Sequence, residues 1–375
     1  MAFDLRNQAV QRRTATGAAA LATPGKRTLT DQLPASPASF TGGTPAASSG
    51  RDSGSAQSTG TGDPPPLDAR GQVIDNLLNS FQSIDIEVPL AGAAAAGAPT
   101  TTHVHVKPPY WNNKYVTLVD GKPILEPPIG FDSGVRAEQL AKLGIDPRSA
   151  VASGKARPHE IADAVNKALA AKLIGSTGSH PVAENGWAPA IEAWLLKVGI
   201  GIDCNGFVYE ALQDLHAAGA RTTHDVGGPN GILDVYPTED SGRTTASIDA
   251  MVATGTNVTP PDGLQVADLM VLVGEHVRII MQVDRADLAS RITRFTTAES
   301  TADGRTSGGD PVHGPRIHYW RYAPNPDDPS QPLQLQERYE GSQDRPEDWS
   351  AKAEKPLYKR HLAPPEAKAG GDAKY

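Results

Sequence analysis

Gly201-Ile202-Asp203-Cys204-Asn205-Gly206-Phe207-Val208 holds the only cysteine of the chain and the start of its most informative helix. From Phe207 onward the apolar residues Val208, Ala211, Leu212 and Leu215 recur at helical spacing. Asp203 is a good N-cap residue, which puts Cys204 in the first helical turn. A free thiol has a pKa of about 8.5, and the positive end of a helix dipole favours the thiolate, the actual nucleophile. The unpaired N–H groups of the same turn can hold an oxyanion once a thiolate attacks a carbonyl. The plainer expectation for a lone free cysteine is a small core residue.

The chain beyond the cysteine helix shifts the balance toward chemistry. Leu264 to Val273 is strand-like and Gly274-Glu275 reads as a turn. His276-Val277-Arg278-Ile279-Ile280-Met281-Gln282-Val283 then alternates, with Val277, Ile279, Met281 and Val283 expected on one face. His276 heads this strand and shares the other face with Arg278 and Ile280. A histidine there can reach a helix N-terminus packed beside the sheet, accept the thiol proton and later hand it to a leaving amine. The next run, Arg291 to Glu299, ends in Thr297 and Glu299, which point the same way. Either can orient the second ring nitrogen, and a carboxylate would also stabilise the imidazolium.

Asp203-Cys204-Asn205-Gly206-Phe207-Val208, then Ala267-Asp268-Leu269-Met270-Val271, then His276-Val277-Arg278-Ile279, resembles the NlpC-type papain-like peptidases and amidases in order and spacing. Their pattern runs Asp-Cys-Ser-Gly-hydrophobic-Val, Gly-Asp-Leu, His-Val-Gly-Ile. The resemblance covers roughly residues 181–322. It implies an α+β fold in which the cysteine helix packs on a small antiparallel sheet. It also implies Cys204 as nucleophile, His276 as base and acid, and a third polar residue on the strand after His276. The expected third residue is Glu299, with Thr297 behind it; Asp203, Asn205, Thr297 and Trp187 are the candidate substrate and oxyanion contacts. Asn205 stands where the family has Ser, and Ala267 where it has Gly. The Tyr and Gly-Gly that commonly precede the cysteine motif are missing, as is the family's third histidine. The expected substrate is a peptide or the peptidoglycan stem peptide, with no cofactor and no metal. An inactive papain-like scaffold, or a thiol enzyme that transfers the acyl group or deamidates proteins, is the alternative.

Composition sets the frame. The chain has 375 residues, 35 Lys+Arg against 43 Asp+Glu, 37 Gly, 32 Pro and one Cys, with a formal charge of −8. One cysteine forms no intrachain disulfide and supplies no cysteine-rich zinc site. The charge gives no basic footprint for nucleic acid, and no apolar run approaches the roughly 20 residues of a membrane helix. The start, Met1-Ala2-Phe3-Asp4-Leu5-Arg6, lacks a positive region followed by an apolar stretch. No secretory signal is therefore expected, which implies synthesis in the cytoplasm, with release or injection by a contractile apparatus left open.

Residues 11–70 contain 42 Ala, Gly, Ser, Thr or Pro, so residues 1–70 are expected to be a disordered arm. Within it Pro24-Gly25-Lys26-Arg27-Thr28-Leu29-Thr30-Asp31-Gln32-Leu33-Pro34 resembles a segment near the N-termini of polymorphic-toxin and injection-system proteins, implying an apparatus component as partner. Residues 71–102 are expected to hold a short helix and a linker, 103–180 accessory strands and helices, 181–322 the papain-like domain, and 323–375 an extended tail. Within the third region the helices are expected at Arg136–Gly144 and Pro158–Leu173, and strands at His103–Val106 and Tyr115–Val119. The Gly- and Pro-rich stretch 222–263 is expected to cover the cleft. His103 and His105 share a strand face without further ligands at recognisable spacing, which disfavours a metal site.

Overall fold

A computed structural model describes residues 67–89, 100–175, 186–236, 239–285, 289–305 and 311–365. The expected arm therefore lies outside the described residues up to position 66, as do most of the joint around 90–99 and the last ten residues. Asp63 to Tyr375 forms one compact unit. It is a mixed α+β fold of helices and an antiparallel sheet.

Helix α1 (Ala69–Gln82) is capped by Asp68 and buries Ile74, Leu77, Leu78 and Phe81 along one stripe. A hairpin of β1 (Ile84–Pro89) and β2 (Thr101–Val106) follows, with β1 alternating buried and exposed residues. His103 Nδ1 there lies 2.9 Å from Asp85 Oδ2, a diagonal cross-strand contact. The short strands β3 (Leu118–Val119) and β4 (Lys122–Pro123) form a second hairpin whose turn residues Asp120 and Gly121 both have positive φ. The expected strand from Tyr115 shrinks to these two residues, because Asn112 caps a single 3-10 turn over Asn113–Tyr115.

Helices α2 (Ser133–Lys142) and α3 (Pro158–Ala170) lie where the periodicity puts them. Helix α4 (Trp187–Val198) ends at Gly199 in the left-handed conformation, where a Cβ would stand 2.3 Å from the Trp111 ring. Helix α5 (Cys204–Ala217) is the cysteine helix. Three short helices follow, α6 (Ile232–Val235), α7 (Glu239–Thr245) and α8 (Ile248–Ala253).

The main sheet has eight strands in the order β11-β10-β9-β8-β7-β6-β12-β5. These are β5 (Thr256–Asn257), β6 (Leu269–Leu272), β7 (His276–Asp284), β8 (Thr293–Arg305), β9 (Pro311–Ala323), β10 (Gln334–Arg338), β11 (Trp349–Ala351) and β12 (Leu357–Arg360). One face, with Val271, Val277, Ile279, Met281 and Ala298, joins the core that α1, α4 and α5 complete. The other face, with Met270, Ile280, Phe295, Trp320, Tyr322 and Tyr358, forms a smaller aromatic core. A bulge between Ile280 and Gln282 reverses the alternation, so Val283 packs on the aromatic side rather than with Val277.

One core, shared by Ile74, Val165, Phe207, Ile279 and Leu362, runs through the regions expected as accessory, catalytic and tail alike. One expected boundary needs correction: 323–365 is not an extended tail. Strand β12 is inserted between β6 and β5, and Tyr358, His361, Leu362 and Ala363 are buried. The strands are so short and Pro-flanked that period-two alternation never develops over them.

Candidate active site

Cys204 is the first residue of α5, and Asp203 caps it by accepting from Gly206 N at 2.6 Å. The Asp203 carboxylate also takes Lys155 Nζ at 2.7 Å in a buried ion pair, so the cap is anchored from a neighbouring segment. Burial raises the Asp203 pKa, against Lys155 and the Gly206 N–H, which favour the charged form. The loop before the cysteine is clamped on several sides. Asp203 N donates to Gly154 O at 2.7 Å, Ile202 N to Pro109 O at 3.2 Å, and Ser300 Oγ to Ile202 O at 2.7 Å. Gly154 has φ of +80°, and a Cβ there would stand 2.1 Å from Trp111 O, so the approach requires glycine.

His276 opens β7 and is the ring that faces this helix start. Its Nε2 lies 2.5 Å from Glu299 Oε2, and Cys204 is among the neighbours that raise its pKa. With Nε2 engaged, Nδ1 is the ring nitrogen not taken by Glu299. Burial and the Arg278 charge oppose the imidazolium, but Cys204 and Glu299 outweigh them and hold the His276 pKa above its ordinary value. At rest the thiol makes a long 3.9 Å contact with Asn205 Oδ1. Cys204 is 1% exposed, while the His276 side chain keeps 13%.

Glu299 is fully buried on β8 and collects four basic groups: His276, Arg278 Nε at 2.6 Å, Arg316 at 3.2 Å and His318 Nδ1 at 3.0 Å. Burial alone would raise its pKa, but Arg278, His276 and His318 hold the carboxyl well below the usual carboxylate range. It is an anion at any pH where the imidazole titrates. His318 in turn approaches Glu337 at 3.3 Å, and Arg278 lies over the Trp320 ring at 4.9 Å.

Of the sequence candidates, Cys204, His276, Glu299, Asp203 and Asn205 come together. Thr297 does not orient His276: it is fully buried, and its hydroxyl accepts from Trp320 Nε1 at 3.0 Å. Trp187 starts α4, and its indole donates to Pro89 O at 3.1 Å, at the end of β1, so it belongs to the packing of α4 on the β1–β2 hairpin. The stretch 222–263 touches Tyr209, Glu210, Glu160 and His361, and its described contacts do not include Cys204 or His276. It lines, with the C-terminal half of α5, a separate cleft of about 980 Å³.

Tyr110 was not legible from the sequence. The segment from Pro109 to Trp111 runs beside Ile202 as an isolated parallel bridge and brings the Tyr110 phenol into the field of Cys204 and Asp203. Burial, then those two charges, raises its pKa, so it stays a protonated donor. Asn112 Nδ2 donates to its oxygen at 3.1 Å, which turns the phenolic hydrogen elsewhere. An aromatic so far before the cysteine motif leaves no spacing signal. Among the described residues no group of three or more His, Cys, Asp or Glu is placed to hold a metal ion, and no helix is long and apolar enough to cross a membrane.

No protein-family model, curated protein or solved structure was found to match this chain.

Proposed function

We propose that the chain is a papain-like thiol hydrolase of the NlpC type that cleaves an amide bond through a thioester on Cys204. The observation that supports this most is the row Cys204–His276–Glu299, in which a buried anion fixes one ring nitrogen and leaves the other for the sulfur. His276 Nδ1 takes the thiol proton as Sγ attacks the carbonyl carbon, and the developing oxyanion meets helix-start N–H groups and the Tyr110 hydroxyl. The imidazolium returns its proton to the leaving nitrogen as the C–N bond breaks. Water, deprotonated by His276, then attacks the thioester, and the acid and thiol are released. Glu299 keeps the ring in the required tautomer and stabilises its cationic form without taking the proton.

By resemblance, the peptidoglycan stem peptide is the first substrate to try, and the arm suggests an effector delivered by an injection apparatus. Transfer of the acyl group to an amine, or deamidation of a protein, uses the same thioester and differs only in what reaches it. The near-complete burial of Cys204 favours one other reading, a papain-like scaffold that binds and does not cut. The two separate on one measurement. Alkylation of Cys204 by iodoacetamide that persists well below pH 8, and drops in His276→Ala, supports the enzyme. A thiol reactive only above about pH 8, with wild type and Cys204→Ala equally inert on stem peptides and proteins, leaves the scaffold.

A further inference from the structure

The cap of α5 carries more charge than capping needs. Ser or Asn caps a helix about as well as Asp does, yet Asp203 sits in a buried ion pair, its side chain 3% exposed and that of Lys155 6%. Such a pair is a poor source of stability, because desolvation of the two charges offsets most of their attraction. Lys155 is nevertheless built into place. Its backbone pairs with Ile202 in an antiparallel bridge, donates from N to Ala150 O at 2.9 Å and accepts from Arg243 at 3.3 Å. Its stem then crosses the first turn of α5. A Cβ on Gly206 would stand 3.0 Å from Lys155 Cδ and 2.7 Å from Gly154 O, so the crossing depends on glycine there. It ends with Nζ on Asp203 Oδ1 at 2.7 Å, the same oxygen that takes Gly206 N at 2.6 Å.

Cys204 follows Asp203 directly and is the first residue of the helix. A bare carboxylate at the cap would strengthen it through a charge-assisted bond to Gly206 N, and would also repel a thiolate on the next residue. A neighbouring ammonium removes the second effect and keeps the first. Resting on the reading of Cys204 as nucleophile, we propose that Lys155 is a positioning residue for it: the ammonium cancels the Asp203 charge at the sulfur, so the first turn stays firmly capped and still favours the thiolate. The other titratable groups acting on Asp203 or Cys204 are His276, with Arg278 and Glu299 beside it on β7 and β8, and Tyr110. All of these stay in place in the variants that test the pair.

The test is the pH dependence of iodoacetamide alkylation in the full-length chain, read by mass on its single cysteine, with Tm measured alongside. Lys155→Met, which keeps the stem and removes the charge, is expected to move the alkylation midpoint toward alkaline pH by about one pH unit. Asp203→Asn keeps a cap acceptor for Gly206 N and leaves the ammonium. It is expected to move the midpoint toward acid, with the double variant falling between the two. Lys155→Arg is expected to stay nearer wild type than Lys155→Met. Folded single variants that share the wild-type midpoint, or move it in the same direction, overturn the proposal, since a purely structural role alters Tm without opposite displacements. Lys155→Met strands a buried carboxylate, so where it does not fold the neutral double variant is read against Asp203→Asn instead. A double variant not displaced to alkaline pH from Asp203→Asn overturns the proposal as well. A wild-type thiol that reacts only above about pH 8, with the opposite displacements still present, counts against Cys204 as a nucleophile and leaves Lys155 as the group that cancels the cap charge at the sulfur.

Discussion

His276 Nε2 and Glu299 Oε2 stand 2.5 Å apart, and the same oxygen receives Arg278 Nε at 2.6 Å. The ring is therefore held by an anion that is itself held by a fixed cation. Glu299→Gln keeps the shape and removes the charge. Since Glu299 is one of the two groups that raise the His276 pKa, the neutral imidazole that accepts the thiol proton is expected to persist to lower pH in the variant, shifting the acid limb of the pH–rate profile toward lower pH. The value of kcat/KM is expected to fall at least about 100-fold. The variant also strands Arg278 and Arg316 beside a neutral amide, so a loss of about 3–5 kcal/mol in stability is expected from denaturant titration. An unchanged pH profile in a folded variant would remove Glu299 from the mechanism.

Tyr110→Phe deletes one hydroxyl and leaves the ring contacts with Tyr115 in place. If the phenol donates to the oxyanion, kcat is expected to drop by roughly 10- to 1,000-fold with KM little changed, as for the loss of one such donor. The rate of Cys204 alkylation by iodoacetamide, a reaction without an oxyanion, is expected to stay near wild type. Equal losses in both assays point instead to a disturbed loop.

The part of the site that was legible in sequence is the part encoded locally. Asp203 as cap, Cys204 in the first turn and His276 at a strand head follow from helical period, cap chemistry and alternation. Glu299 followed from its parity with Thr297 on β8, but parity alone does not say which of the two meets the ring. That is decided by tertiary neighbours: Trp320 occupies Thr297, while Arg278, Arg316 and His318 stabilise Glu299 as an anion. Tyr110 and Lys155 reach the cysteine loop through isolated bridges to Ile202, pairings with no periodic signature. The register of β12 was hidden for the same reason, and so was its role in closing the sheet.

That role has a measurable consequence. Arg360 binds Asp268 at 2.7 Å, and β12 covers the edge of β6 through Leu357–Val271, Tyr358–Met270 and Lys359–Leu269. Ending the chain after Lys355 exposes this edge and removes Tyr358 and Leu362 from their cores, two large-to-nothing losses each of about 2–5 kcal/mol. The truncated protein is expected to be insoluble or unfolded by circular dichroism. A folded, active truncation would restore the picture of a loosely attached tail.

His361 ties the same strand to α6. Its Nδ1 accepts from Ile232 N at 3.0 Å, the residue is 1% exposed, and burial, with Lys359 adding to it, pushes its pKa down to about 3. Between pH 6.5 and about 3 the unfolded chain binds a proton here that the folded chain refuses, so stability must fall as pH falls through that window. The full effect is about 3–5 kcal/mol by linkage. Glu210, pushed up to about 7 by burial despite Arg157 and Arg243, titrates with the opposite sign between its unfolded value and 7. The wild-type profile alone therefore mixes two slopes. The decisive quantity is the difference between wild type and His361→Gln, which keeps an acceptor for Ile232 N–H but cannot be protonated. In urea titrations the variant is expected to gain on wild type progressively from pH 6.5 to 4.5. A constant difference across that interval would mean that His361 is protonated in the folded state.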